Sequence, residues 1–172
     1  MDIFDILRDD HARVRNLLNE LILQTSEPTA DHDAHLEPLN ALKRAMIAHD
    51  RAEESVLYEH LRINAHQADL AESKAEEHHL AEAILIELER KSPTDADWDM
   101  SLGLLKNQIE SHMAEEETST FDMLRPFVDA EATERMADEF LEMQAQVSGE
   151  ELQKMQRQMH SGLGAESDRP HQ

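Results

Sequence analysis

Four segments of this chain repeat apolar residues at alternating spacings of three and four positions, which places those side chains on one face of an α-helix. The first stripe consists of Phe4, Leu7, His11, Val14, Leu18 and Leu21. The fourth consists of Leu105, Ile109, His112, Glu116 and Met123. At ~1.5 Å per residue, segments of about 22–28 residues give helices of about 33–42 Å, a length suited to a helical bundle.

Turn-forming residues separate these segments at residues 25–33, 64–67 and 91–95, at Pro126 and at residues 148–149. Helices are therefore predicted over residues 2–23, 36–63, 69–90 and 96–124, followed by one over 129–147 and a short one over 150–159. Because short connections make consecutive helices antiparallel, the sequence predicts an all-α, up-down-up-down antiparallel four-helix bundle with a C-terminal extra helix. We expect the bundle in residues 1–127, a helical extension in 128–160 and a flexible tail in 161–172.

Charge and composition argue against several classes of function. The chain has 38 acidic and 16 basic residues, a net charge of −22, so we expect it to bind neither nucleic acid nor anionic membranes. It has no cysteine, which excludes disulfides, thiolate zinc sites, iron–sulfur clusters and cysteine nucleophiles. The first residues do not have the pattern of a signal peptide, and no apolar run approaches the ~18 residues of a membrane span. The predicted location is the cytoplasm.

A histidine interrupts each of the four apolar stripes, and two stripes carry a glutamate four residues after it. These residues are His11, His49, Glu53, His78, His112 and Glu116. Residues four apart on a helix project from the same face, so each glutamate is directed into the same space as its histidine. A buried, unpaired carboxylate is costly, and binding a cation removes that cost.

The six side chains lie near the middle of their predicted helices, so antiparallel packing brings them to a similar height. Six ligands are too many for one tetrahedral zinc ion. Imidazole and carboxylate without sulfur suit iron or manganese, and two carboxylates able to bridge suit a pair of ions. A single histidine in an apolar stripe is more often a hydrogen-bonded core residue than a ligand, but the agreement of four helices favours a metal site.

Some neighbouring residues leave alternatives open. His79 competes with His78 as a ligand, and the apolar residues that follow on the same stripe favour His78. Tyr58 is predicted to be a packing residue, with a hydrogen bond to the metal site as the alternative. His32 and His35, before the second helix, are predicted to be exposed to solvent.

As an ordered set, these motifs resemble the hemerythrin-like family, also called the HHE cation-binding domain. The matching pieces are Asp10-His11 in LRDDHARVRNLL, His49 to Tyr58 in HDRAEESVLY, Glu77-His78 in EEHHLAEAILIEL and His112 to Phe121 in HMAEEETSTF. The resemblance covers about residues 1–127. It implies a non-haem di-iron centre that reacts with O2 or related small molecules, with two iron ions bridged by Glu53 and Glu116, with or without an oxo bridge. We expect each ligating histidine to donate its other ring N–H to a second acceptor, such as an acidic side chain.

The chain departs from the oxygen-carrying members of this family, which use five histidines and supply two of them as His-x3-His on the third helix. Here Lys74 and Ala75 stand four residues before His78 and His79, so the fifth histidine is absent. The last carboxylate is also one residue closer to its histidine than in the carriers. These departures argue against reversible O2 carriage and leave coordination positions open. The rival ferritin-like bundles need Glu-x-x-His on two helices, and only Glu76-x-x-His79 fits.

Three functions remain open from the sequence. The first is a protein that binds O2, peroxide or nitric oxide in oxygen or redox sensing, storage or iron handling. The second is an enzyme that consumes peroxide or nitric oxide or oxidises ferrous iron, and the third is a metal-free helical interaction module. The sequence assigns no catalytic residue and no protein partner. The extension, with Met136, Phe140, Leu141 and Met143, is predicted to pack on the bundle, with a partner protein as the alternative.

Overall fold

The structure, a computed structural model, describes residues 1–26 and 34–163. Within these ranges the chain forms helices and turns and contains no strand, which confirms the predicted all-α class. The helices are α1 (Ile3–Thr25), α2 (Leu36–Ile63), α3 (Ala68–Leu88), α4 (Trp98–Glu115), α5 (Phe121–Leu124) and α6 (Ala130–Leu163). A π turn (Glu116–Thr120) joins α4 to α5, and a 3-10 turn (Arg125–Phe127) follows α5. Within the same ranges, no helix is long and apolar enough to cross a lipid bilayer.

Local sequence explains where the first helices begin and end. Asp2 caps α1 by accepting a hydrogen bond of 2.9 Å from the backbone N–H of Asp5. Pro38 lies in the first turn of α2. Backbone N–H groups there have no acceptor within the helix, so a proline costs no hydrogen bond. His66, with φ of 55°, reverses the chain between α2 and α3 in a left-handed conformation.

The four long helices α1 to α4 form the bundle. Each packs on the next one along the chain, and α4 also contacts α1, which closes the ring. Helix α6 lies outside the ring and packs mainly on α2, with further contacts to α1. Met136 and Phe140 are buried, whereas Leu141 is exposed. The prediction that the extension packs on the bundle is therefore confirmed.

The predicted helix break at residues 148–149 was wrong. Helix α6 runs without interruption from Ala130 to Leu163 and replaces the two helices predicted over 129–147 and 150–159. A glycine in a helix interior costs only about 1 kcal/mol relative to alanine, so Gly149 weakens the helix without ending it. Of the predicted tail, residues 161–163 belong to α6, and residues 164–172 lie outside the described ranges. Residues 27–33, which include His32, also lie outside them.

The apolar core consists of two clusters separated by a polar layer. One cluster includes Phe4 and Leu7 of α1 and Leu57 of α2, together with residues of α5 and α6. The other includes Val14 of α1 and Met46 of α2, together with residues of α3 and α4. The histidines and glutamates predicted as ligands lie between the two clusters along each helix, so apolar packing on both sides fixes their height in the bundle.

The π turn changes the register of the fourth stripe. In a π turn the hydrogen bond spans five residues instead of four, which inserts one residue into the helix. Thr118 and Ser119 accompany the turn by donating side-chain hydrogen bonds of 2.7 Å to backbone carbonyls four residues earlier. Beyond the turn, Phe121 and Leu124 are buried and Met123 is 38% exposed. The prediction that Met123 continues the apolar stripe was therefore wrong.

The prediction that His35 is exposed was also wrong. The side chain precedes α2 and is only 7% exposed. Its ring packs edge-on against Trp98 at the start of α4, with 5.2 Å between the ring centroids. Both side chains are buried, the indole completely.

Candidate metal centre

Four buried side chains from α1, α2 and the π turn form the first potential metal site. They are His11, His49, Glu53 and Glu116, and their ligand atoms all lie within 4.8 Å of one another. Nε2 of His11 is 3.5 Å from Oε2 of Glu116, and Nε2 of His49 is 3.4 Å from Oε2 of Glu53. Both Nε2 atoms, Oε1 of Glu53 and Oε2 of Glu116 lack a hydrogen-bond partner within the described ranges. Such orphaned polar atoms are rare in protein interiors, and a cation between them would satisfy all four.

Glu53, His78 and His112 form a second potential site beside the first. Oε2 of Glu53 lies 3.4 Å from Nε2 of His78 and 3.9 Å from Nε2 of His112. The two histidine Nε2 atoms are 3.0 Å apart. Glu116 also reaches this site, because its Oε2 lies 3.4 Å from Nε2 of His112. Each of the two glutamates therefore contacts histidines of both sites, as a bridging carboxylate must.

Tyr58 lies within the centre and is not a simple packing residue. Its hydroxyl donates a hydrogen bond of 2.7 Å to Oε1 of Glu116 and lies 3.2 Å from both Oε2 of Glu53 and Nε2 of His78. Burial and the charges of Glu53 and Glu116 raise the pKa of Tyr58 well above its ordinary value. The phenol therefore stays protonated beside the two carboxylates. The prediction of Tyr58 as a packing residue was therefore wrong, and the alternative, a hydrogen bond to the site, is what the structure contains.

The second ring nitrogen of each of the four histidines is bonded to a carboxylate on the outer side of the centre. The Nδ1–carboxylate pairs are His11–Glu117 at 2.9 Å, His49–Asp10 at 2.9 Å, His78–Glu54 at 3.1 Å and His112–Glu77 at 2.8 Å. An ionised carboxylate can only accept, so each Nδ1–H donates and each Nε2 is directed inward. This confirms the expectation of an acidic second partner, and it orients all four rings for a cation.

These four carboxylates are sequence neighbours of predicted ligands. Asp10 precedes His11, Glu54 follows Glu53, Glu77 precedes His78 and Glu117 follows Glu116. Each one, however, serves a histidine of a different helix from its own. The paired polar residues in the motifs DH, EE and EH were the signal from which they could have been predicted.

The pKa directions show a strong demand for positive charge at the centre. Burial lowers the pKa of His112, but the charge of Glu116 and hydrogen bonds to the carboxylates outweigh it and raise the pKa to about 12. Burial likewise lowers the pKa of His78, but the charge of Asp50 outweighs it together with the other nearby carboxylates and raises the pKa to about 9. Burial raises the pKa of Glu53, but the positive His49 imidazole and the neighbouring rings of His78 and His112 hold it well below its usual range.

Two spaces lie beside the second site. An internal cavity of about 10 Å³, lined in part by Asp50, His78 and His112, has room for about one water-sized molecule. A surface groove of about 400 Å³ between α3 and α4 opens beside it. Glu77, Gln108 and His112 line both spaces and form the wall between them. Only a very small ligand fits the inner cavity.

All six side chains predicted as ligands lie in the centre. Of the competing pair on α3, His78 is inside the bundle and His79 is exposed. Lys74, at the position of the missing histidine, is buried, but its Nζ is directed to Glu77 at 3.0 Å and Glu115 at 2.7 Å.

Comparison with known proteins agrees with this geometry. The family model described as the hemerythrin HHE cation-binding domain matches residues 2–124. A protein named DNA nickase, from Nostoc sp. (strain PCC 7120), is 29% identical over 140 residues, which are 81% of this chain and 38% of that protein. The chain thus spans well under half the length of that relative.

A solved structure shares the fold. It is the crystal structure of a hemerythrin HHE cation-binding domain-containing protein from Mycobacterium kansasii, a homologue of Rv2633c. It matches with a TM-score of 0.76 and 18% identity over 91% of this chain and 93% of that one. Because the family model covers most of the sequence, the chain belongs to the hemerythrin HHE cation-binding domain family.

Proposed function

We propose that this protein is a non-haem di-iron protein that binds O2 or a related small oxidant and acts in oxygen or redox sensing, storage or iron handling. The observation that carries the proposal is the convergence of four histidine Nε2 atoms on two buried glutamates. In this proposal the metal ligands are His11, His49, Glu53, His78, His112 and Glu116.

Two ions account for this ligand set better than one. His11 and His49 would hold the first ion and His78 and His112 the second, with Glu53 and Glu116 shared between them. Imidazole and carboxylate ligands without sulfur suit iron or manganese at such a centre, and the family resemblance favours iron. The cavity beside His78 and His112 is so small that any ligand bound there must have very few atoms, which is why the proposal names O2, peroxide or nitric oxide.

Lys74 supports the proposal that coordination positions stay open. Its ammonium binds Glu77 and Glu115 and not the ligand side chains, so Lys74 does not replace the fifth histidine of the oxygen carriers. When bound, the iron pair would supply redox chemistry. This chain's own residues orient the ligands, exclude bulk water and hold a proton on the hydroxyl of Tyr58.

Metal content and the absorption spectrum test the proposal. The protein is purified, its metals are measured by elemental analysis, and spectra are recorded before and after exposure to air. We expect two irons per chain and near-ultraviolet charge-transfer bands after oxidation. Zinc, a single ion, or a colourless protein that takes up no iron would overturn the proposal.

A matched pair of variants on α3 locates the second ion. His78→Ala removes a side chain of the centre, whereas His79→Ala removes its exposed neighbour. We expect His78→Ala to hold less iron and His79→Ala to hold as much as the unmodified chain. Equal iron in both variants would contradict the assignment of His78.

Catalysis is the second candidate function, and Tyr58 favours it. Turnover of peroxide requires a proton donor at the centre, and the Tyr58 hydroxyl lies among the proposed ligands. Steady peroxide consumption that His112→Ala abolishes and Tyr58→Phe slows would establish an enzyme. Oxidation in a single turnover without continued peroxide loss would favour a binding protein.

The remaining expectations have direct tests. The net charge of −22 argues against DNA binding, although one relative is named DNA nickase, so we expect iron-loaded protein to leave supercoiled plasmid intact. A metal-free helical module would be indicated if His49→Leu stabilised the fold and no metal bound. A cytoplasmic location remains a prediction.

A further inference from the structure

We propose that α6 is a working part of the metal centre, in which Gln144 positions Asp10 and, through it, the ring of His49. This helix follows the region matched by the family model, residues 2–124, and supplies none of the proposed ligands. The inference rests on the proposed metal binding. It adds that docking of α6 and occupation of the site at His49 stabilise each other.

One carboxylate oxygen connects α6 to the centre. Oδ2 of Asp10 accepts a hydrogen bond of 2.6 Å from Nε2 of Gln144 and another of 2.9 Å from Nδ1 of His49. His49 is 1% exposed and Asp10 is 8% exposed, so the bond between them is buried, and the bond from Gln144 is partly buried. The amide of Gln144 fixes the oxygen that in turn fixes the imidazole.

The other three outer carboxylates are held from within the four-helix bundle. Glu117 is bound by Arg15 at 2.9 Å, Glu77 by Lys74 at 3.0 Å and Glu54 by Arg51 at 3.5 Å.

Asp10 differs from Glu117 and Glu77, whose cations lie at 2.9 and 3.0 Å. Its own cation, Arg13, contacts the other oxygen at 3.4 Å from a side chain that is 59% exposed. Solvent screens such an ion pair, so it restrains Asp10 only weakly. The short bond from Gln144 is therefore the main restraint on Asp10 from outside the centre.

Phe140 provides a second, independent contact between α6 and the centre. Its ring is fully buried and packs edge-on against the ring of His49, with 5.9 Å between the centroids. Gln144 follows Phe140 by four residues, so both side chains leave the same face of α6. His49 is thus contacted by a hydrogen-bonded carboxylate that α6 restrains and by an aromatic ring that α6 supplies.

These contacts imply reciprocal coupling. If the docked α6 holds the His49 ring in the orientation that binds metal, metal at that site must favour the docked helix to the same extent. Removing the amide of Gln144 while keeping its length should weaken metal binding by about tenfold, the lower end of the range for groups that orient metal-binding histidines.

The test compares Gln144→Met with Gln146→Met. Gln146 is exposed on the same helix and its side chain donates only to Glu150 among the described residues, so it provides the matched control. Ferrous iron is titrated anaerobically against a competing chelator. Gln144→Met should weaken one of the two binding steps about tenfold and leave the other step unchanged, and Gln146→Met should match the unmodified chain in both steps.

Amide hydrogen exchange tests the coupling from the other side. In the unmodified chain, exchange within α6 should slow when iron binds, and Gln144→Met should reduce that difference. A purely structural role of Gln144 would change α6 exchange equally with and without iron. The measurement on the unmodified chain keeps the proposal falsifiable even if the variant fails to fold.

Two results separate this inference from the proposed function. The role of α6 is overturned if the unmodified chain binds two irons and amide exchange within α6 does not change. It is also overturned if Gln144→Met binds both irons with unchanged affinity. In either case the di-iron proposal stands. If the unmodified chain binds no metal, both fall.

Discussion

The hydroxyl of Tyr58 on α2 lies 2.7 Å from Oε1 of Glu116 in the π turn. Tyr58 is fully buried, and its ring stacks on that of His78 with 5.4 Å between the centroids. The hydroxyl thereby joins the two carboxylates and one imidazole of the centre through a single group. A hydrogen bond to a charged carboxylate contributes about 1.5–3 kcal/mol, so Tyr58 stabilises the buried glutamates of the centre.

Tyr58→Phe should lower the free energy of unfolding of the metal-free protein by about 1–3 kcal/mol. The ring packing is kept, but Glu53 and Glu116 lose a buried donor. Urea denaturation of the metal-free form measures the change, and helicity by circular dichroism confirms that the fold is retained. Iron loading should recover part of the loss, since a cation then neutralises the same carboxylates.

A null result for this variant would be informative. Equal stability of Tyr58→Phe and the unmodified chain, with and without iron, would show that the hydroxyl does not support the carboxylates. A visible absorption band in the iron-loaded protein that disappears in Tyr58→Phe would show that the phenol oxygen binds the metal directly.

Glu77→Gln should weaken iron binding by about 10- to 100-fold, the range for partners that orient a metal-binding histidine. Glu77 accepts from Nδ1 of His112 at 2.8 Å, and an amide can turn its NH2 group toward the ring and favour the wrong tautomer. Chelator competition measures the affinity. Glu76→Gln makes the same change on the exposed neighbouring residue and should bind iron normally. Equal affinities for the two variants would show that Glu77 does not orient His112.

The long helices could be predicted because each segment repeats apolar residues at spacings of three and four positions. The bounds predicted for the second helix, residues 36–63, are those of α2. Ser148 and Gly149 misled the prediction because one glycine weakens a helix by only about 1 kcal/mol and does not end it. The π turn was missed because inserting one residue depends on local competition for backbone carbonyls, which apolar spacing does not reveal.

The centre was predictable where periodicity determines it and not where contacts between helices do. Helical spacing placed His49 and Glu53 on one face. Because the apolar stripe on that face is buried, both side chains were predicted to lie inside the bundle. Which carboxylate serves which histidine depends on the rotation of one helix against another. Gln144 could not be predicted as a contact of the centre, because it lies 134 positions after Asp10 on a helix outside the recognised motifs.

Leu124→Ala should cost about 2–5 kcal/mol of stability, whereas Met123→Ala should cost about 0.5 kcal/mol or less. The π turn places Leu124 in the core with no exposed surface and leaves Met123 38% exposed. Urea denaturation of both variants in the metal-free form compares them directly. A larger loss for Met123→Ala would mean that the helix continues in regular α register and that the π turn is absent.

The stability of the metal-free protein should fall as the pH rises from about 6.5 to about 9. The pKa of His78 is raised to about 9, against about 6.5 in an unfolded chain. A group whose pKa is raised by folding stabilises the folded state below its unfolded pKa, and this contribution is lost as the pH rises through the folded pKa.

Carboxylates set the lower limit of this pH window. Hydrogen bonding to His112 lowers the pKa of Glu77 to about 2, so its contribution is present above about 4.5 and is lost as the pH falls toward 2. The metal-free protein should therefore be most stable near pH 5–6.

Iron binding reverses the trend above pH 6, because ligating imidazoles must be neutral and protons compete with the metal. Thermal unfolding of both forms at pH 6 and pH 8.5 tests this: the metal-free form should lose stability at the higher pH, and the iron-loaded form should gain it. Parallel changes in the two forms would show that these imidazoles do not bind the metal.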